Sequence, residues 1–165
     1  MNDLIRNLIE ALREELKQYG EMLAVLDYQQ DLVMHRRANE LLESVATVNS
    51  QSEVIQITRR EREQRQREIA TELNVDDDAT FAILIPLLPA DYRPLVGALV
   101  QENNELLIRV QQRARQNHLL LSRAIDLMQR FINTLNPTPA PTTYNDIGRV
   151  SEEAAVHTSL FQAVG

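Results

Sequence analysis

Residues 5–26 read IRNLIEALREELKQYGEMLAVL, and the spacing of their apolar side chains decides the fold class. Ile5, Ile9, Leu12, Leu16, Tyr19, Leu23 and Leu26 recur at alternating steps of four and three, the a/d pattern of helices packed along a seam. Asp3 stands where it can accept from the free amide hydrogens of the first turn and cap the helix. Gly20 within the helix costs roughly 1 kcal/mol relative to alanine, which the seam outweighs.

Beyond Leu26 the seam continues through Gln30 and Val33, then reappears one residue out of phase as Met34, Ala38, Leu41, Val45, Val48 and Ile55. A one-residue slip rotates the stripe by about 100°, so a straight helix cannot keep facing one partner and a bend or short break is expected over residues 31–37. Glycine and proline interrupt helices for separate backbone reasons, and between Glu21 and Ile85 there is neither. A second long helix therefore runs to about Leu73, with a kink or frayed turn at the polar Asn49, Ser50, Gln51 and Ser52.

At Asn74 the character changes. Asp76, Asp77 and Asp78 are capping residues, and the short apolar segment after them is ended by Pro86 and Pro89. Phe81, Ile83, Leu84, Leu87 and Leu88 are expected to plug the end of a bundle where the second helix turns back. A third long helix begins near Asp91, with Pro94 in its first turn, and aligns Leu95, Leu99, Leu106, Val110, Ala114, Asn117, Leu121, Ala124, Met128, Phe131 and Leu135. The expected fold is all-α: an elongated, antiparallel bundle of long helices resembling a coiled-coil hairpin, rod-like, with a flexible C-terminal tail. Residues 1–136 form the helical domain. Residues 137–165 open on a proline-rich polyproline spacer and continue as a tail whose Tyr144, Ile147, Val150, Val156, Leu160, Phe161 and Val164 carry apolar area, with Ser151 placed to cap a short helix.

Composition narrows the chemistry. The 165 residues suit one domain with a tail, and the absence of cysteine removes thiol catalysis, disulfides and cysteine zinc sites and fits a reducing compartment. A net charge of -7 argues against general nucleic-acid binding, which needs a basic surface. The N-terminal residues lack the apolar run of a secretory signal. The most apolar stretch, residues 81–89, is too short to cross a bilayer and holds two prolines. A cytoplasmic protein without membrane insertion is expected.

No constellation points to catalysis, a cofactor or a metal. Asp31 and His35 stand four apart, but without a third ligand they read as a surface ion pair. The three aspartates lack the ordered spacing of a calcium loop and read as caps. His118 sits on a helix, as in phosphotransfer bundles, without that family's surrounding motif. The run from Arg59 to Glu68 is basic, yet Glu61 with Arg65 and Glu63 with Arg67 are helix-supporting pairs, and a solvated face is the simpler reading. Leu119, Leu120, Leu121, Ile125, Leu127, Met128, Phe131 and Ile132 wrap more than one narrow face, more than a two-helix seam can bury. Such surplus suggests a docking groove for an amphipathic helix, from a partner or from the chain's own tail.

The order of these features resembles the FlgN family of flagellar export chaperones over residues 4–148. The resemblance rests on Leu8-Ile9, Glu15 and Tyr19, the arginine-bearing end of the second helix, the apolar corner and Asn103-Asn104-Glu105-Leu106-Leu107. It continues with Asn117-His118-Leu119-Leu120 and Tyr144-Asn145-Asp146-Ile147-Gly148. It implies a cytoplasmic, non-enzymatic protein that binds the C-terminal helical region of hook-filament junction (hook-associated) proteins and communicates with the flagellar export gate. By position, it implies that Leu120, Leu121, Ile125, Met128, Phe131 and Ile132 form the client groove. Tyr144 and Gly148 become the tail motif. Ile147, Leu160 and Phe161 are expected as further client-binding residues of the tail, the last two in the segment 150–165 where the sequence departs from the family. The alternative is a non-enzymatic structural or adaptor protein that self-associates as a homodimer through the same seam.

Overall fold

Among the described residues there are four helices: α1 (Asn2–Met34), α2 (Ala38–Glu72), α3 (Phe81–Leu87) and α4 (Arg93–Leu135). The computed structural model describes residues 1–135 together with two short strands, β1 (Thr143–Tyr144) and β2 (Val150–Ser151), which pair antiparallel. The protein is all-α in its long elements, as its apolar spacing predicts. Two compact units are distinguished, Met1–Ser122 and Arg123–Gly165, and the division falls inside α4.

The break between α1 and α2 lies at His35–Arg37, inside the segment where the stripe slips phase. Its geometry is a Schellman turn: Arg36 takes a left-handed φ of 56°, the Arg37 amide donates to the Leu32 carbonyl and the Arg36 amide to the Val33 carbonyl. α2 ends the same way. There Asn74 has φ 54°, and the Val75 and Asn74 amides donate to the carbonyls of Ala70 and Thr71. Asparagine tolerates this conformation well. Arginine does so less readily, so the first turn is held by its hydrogen bonds rather than by residue preference.

The pairing of side chains fixes the direction of each helix in the first unit. Partners of α1 on α2 descend as α1 ascends: Glu15 with Arg62, Gln18 with Gln51, Gln29 with Ser44. α1 and α2 are therefore antiparallel. Partners on α4 ascend with α1, since the Asn103 amide donates to the Leu12 carbonyl and the Asn117 amide to the Leu26 carbonyl. α4 therefore runs parallel to α1 after the corner.

That corner closes one end. Ile5, Leu8, Ile9, Leu12, Ile69, Leu88, Val96 and Leu99 form a continuous core, with Phe81 and Ile85 packed on it. Leu84 and Leu88 are fully buried, as the plug requires, but Ile83 and Leu87 are about half exposed, and Ile85 takes the inward position expected of them. The reason is the short helix itself. Over the seven residues of α3, positions 81, 84 and 85 share one side, and Leu88 follows directly after the helix. A second cluster, Tyr19, Met22, Leu26 and Val110, continues the core along the bundle.

Several details differ from the sequence reading. Asp3 caps nothing. α1 starts at Asn2 without a side-chain cap, and Asp3 lies in the first turn beside Arg6, 3.6 Å away. α2 runs unbroken through residues 49–52, where Gln51 turns inward and donates to both the carbonyl and the side-chain oxygen of Gln18, at 3.1 and 2.7 Å. On α2 the inward row is Leu41, Ser44, Val48, Gln51, Ile55, Thr58 and Arg62, whereas Met34, Ala38 and Val45 are exposed. On α4, Val96 and Asn103 face inward while Leu95 and Ala114 are exposed.

Gly20 and Gly97 lie within helices, and a Cβ on either would meet nothing within 4 Å. Gly20→Ala and Gly97→Ala should therefore each stabilise the protein by about 0.5–1 kcal/mol through the unfolded chain's lost freedom. Thermal melts of the double variant should show a midpoint several degrees higher. An unchanged midpoint would mean that these turns are not helical in solution.

Candidate functional site

The first unit is held by a seam that is unexpectedly polar. In α1 the inward positions are Ile5, Leu12, Tyr19 and Leu26 in one seven-residue row and Leu8, Glu15, Met22 and Gln29 in the other, while Leu16 and Leu23 are only half buried. Glu15, 4% exposed, is consequently a core residue. Its carboxylate accepts from the Arg62 Nε at 3.0 Å and from the Tyr19 hydroxyl at 2.9 Å. Arg62 also donates to Gln66, whose amide donates to the Ala79 carbonyl, and its guanidinium lies 5.8 Å above the Phe81 ring. One network thus ties α1, α2 and the corner together. It also corrects the reading of the basic run. Arg62 is largely buried in this network, and the ion pairs formed along the run are Arg59 and Arg62 with Glu63 and Arg65 with Glu68.

Burial, followed by the neighbouring Glu15 carboxylate, pushes the Tyr19 hydroxyl up to about 12. A tyrosine in the unfolded chain ionises near 10. Between those values the folded state holds a proton that the unfolded state has released, so stability falls as pH rises through this window. Full stability from this residue is present below about pH 10. Urea melts from pH 8 to 12 should show a decline of about 2 kcal/mol that is largely absent from Tyr19→Phe. An equal decline in the variant would place the titration elsewhere.

Asn103 and Asn117 punctuate the α4 seam in the row Val96, Asn103, Val110, Asn117. Each Nδ2 is satisfied by an α1 carbonyl, and Asn117 also donates to the buried Gln29 side chain at 3.0 Å. Each Oδ1 is buried without a protein partner. Such asparagines hold helices in register, because sliding one step would strand the amide against leucine. An open cleft of about 480 Å³ flanks this layer, lined by Tyr19, Arg59, Arg62, Phe81, Asn103 and Leu107 among others.

The client-groove residues expected on α4 fall into two groups. Leu120 and Leu121 are half buried. Ile125, Met128, Phe131 and Ile132 are exposed by 56, 62, 63 and 54%, and Leu127 by 66%. Every residue from 123 to 134 is exposed. At 100° per residue, Leu127, Phe131, Met128, Ile132 and Ile125 share an arc of about 160°, and Arg123, Asp126, Gln129, Arg130 and Asn133 occupy the rest. Leu119, although 57% exposed, falls on roughly the opposite side of the helix.

Of the expected tail residues, Tyr144 lies in β1, paired with Val150, and Ser151 pairs with Thr143. Ile147, Gly148, Leu160 and Phe161, and the helix expected after Ser151, lie outside the described residues. His35 accompanies Asp31 at 3.2 Å on the surface, and His118 is exposed. Among the described residues no group of three acidic or histidine side chains could hold a metal ion, and no helix is long and apolar enough to cross a membrane.

Comparison with known proteins agrees with the resemblance in the sequence. Residues 1–152 match the family model described as FlgN protein. No curated protein and no solved structure matches the chain. The match spans the polar-seamed bundle, the whole of α4 and both short strands, and by it the chain belongs to the FlgN family of flagellar export chaperones.

Proposed function

We propose that this chaperone binds the C-terminal helical region of a hook-filament junction protein on the exposed face of α4 and delivers it, in the cytoplasm, to the flagellar export gate. The observation carrying this reading is the set of five large apolar side chains, Ile125, Leu127, Met128, Phe131 and Ile132, each more than half exposed on one side of α4. A face of this kind favours an amphipathic helix laid along it, with anchors three, four and seven residues apart. The client's own terminal helix, left bare, has an apolar stripe that drives self-association. Covering it removes that hazard.

The segment from residue 137 onward acts as the tail that closes over the client, with Tyr144 and Gly148 in its motif. The reading also holds that the protein performs no catalysis.

The test is co-expression with a hook-associated protein, followed by hydrogen exchange with and without the client's C-terminal peptide. Co-purification, with new protection on residues 120–132 and loss of the complex on deleting residues 137–165, is the expected outcome. Protection confined to α1 would overturn the assignment of the face. A stable homodimer that ignores such clients would favour an adaptor role.

A further inference from the structure

The apolar face of α4 has two unlike edges. Along the side of Leu127 and Phe131 run Arg123 and Arg130, seven residues apart, so both stand on the same edge of the helix. Along the side of Ile125 and Ile132 stand Ser122 and Gln129, also seven apart and uncharged. Asp126 is the one acid of residues 123–134 and lies toward the middle of the polar side. Among the described residues neither Arg123 nor Arg130 takes part in an ion pair, so both guanidinium groups are open to a partner's acids. The basic edge is also set against the chain's net charge of -7.

We propose that Arg123 and Arg130 read the partner: the face takes an amphipathic helix that carries acidic side chains at seven-residue spacing along the edge facing them. This rests on the docking reading of the same face and adds its selectivity. In side-by-side helices, the residues flanking an apolar seam meet their counterparts across it, and charges there set which partner and which orientation are accepted. A helix with lysines on that edge would bring like charges together. A helix laid in the reverse direction would place its acids beside Ser122 and Gln129, where nothing answers them. The neutral edge and the basic edge together therefore specify direction as well as charge.

The experiment uses the full chain and two synthetic amphipathic helices with identical leucine rows. One carries glutamate and the other lysine at the same edge positions. The glutamate peptide should bind about tenfold more tightly at low salt, and the gap should narrow in 1 M salt, where the screening length falls to about 3 Å. Arg123→Glu with Arg130→Glu, checked for unchanged helicity by circular dichroism, should reverse the preference. If both peptides bind equally to the wild-type chain, the edge is not read, and the proposal falls while the docking face stands. If neither binds, the docking face itself is refuted and the proposal with it.

Discussion

Replacing Glu15 by leucine should destabilise the bundle by about 3 kcal/mol, the largest loss expected from a single polar substitution in this chain. The side chain removed is 4% exposed and serves two donors, Arg62 and Tyr19. Without it the Arg62 guanidinium, itself only 13% exposed, keeps Gln66 and the ring of Phe81 but loses its buried counter-charge. Glu63, 3.7 Å away and half exposed, is a weak substitute. The cost is that of stranding a charge and not the net worth of the pair. Accordingly, Glu15→Leu combined with Arg62→Leu should recover stability to within about 1 kcal/mol of the parent. Urea melts of the two single variants and the double variant measure this coupling directly. A cost below about 1 kcal/mol for Glu15→Leu would show the pair to be screened like a surface salt bridge.

The second large effect concerns binding and leaves folding alone. Met128→Asp with Phe131→Asp should reduce affinity for a hook-associated client about a thousandfold, since each anchor at the centre of such an interface contributes 2 kcal/mol or more when lost. Both side chains are more than 60% exposed, so the melting midpoint should move little. Leu119→Asp supplies the control. It places the same charge at a similarly exposed leucine on the opposite side of α4, and affinity should hold. Equal losses from all three substitutions would mean that the helix is perturbed as a whole. No loss from the double variant would remove the face from the binding reaction.

The helices, the break at His35–Arg37 and the apolar corner were legible because each is written locally, in the phase of a stripe or in the placement of proline. The exposed end of α4 was legible for a related reason: its apolar arc is too wide for one seam. What the sequence hid was the choice between two interleaved rows in α1. Leu16 and Leu23 make the better apolar heptad, yet Glu15, Met22 and Gln29 face inward. Glu15 is accepted there because Arg62, 47 residues away, reaches it, and no local pattern announces a partner at that distance. The one available hint was Tyr19, four residues after Glu15 and able to donate to it along the helix. Gln51 repeats the lesson, since a polar patch that looks like a weak point in α2 is a contact to Gln18 when seen from α1.

On the proposed reading, a protein that captures bare amphipathic helices is itself assembled from amphipathic helices, and such a cargo is a rival for its own interior. The polar residues of the seam answer that rivalry. A leucine-rowed intruder displacing α1 would leave Asn103 and Asn117 without the carbonyls of Leu12 and Leu26, and Arg62 without Glu15. Such an exchange would trade satisfied groups for stranded ones, whereas the apolar face of α4 over residues 125–132 asks for nothing polar. The protein thus keeps a private interior apart from the face proposed for cargo, which on that reading is held there without being absorbed.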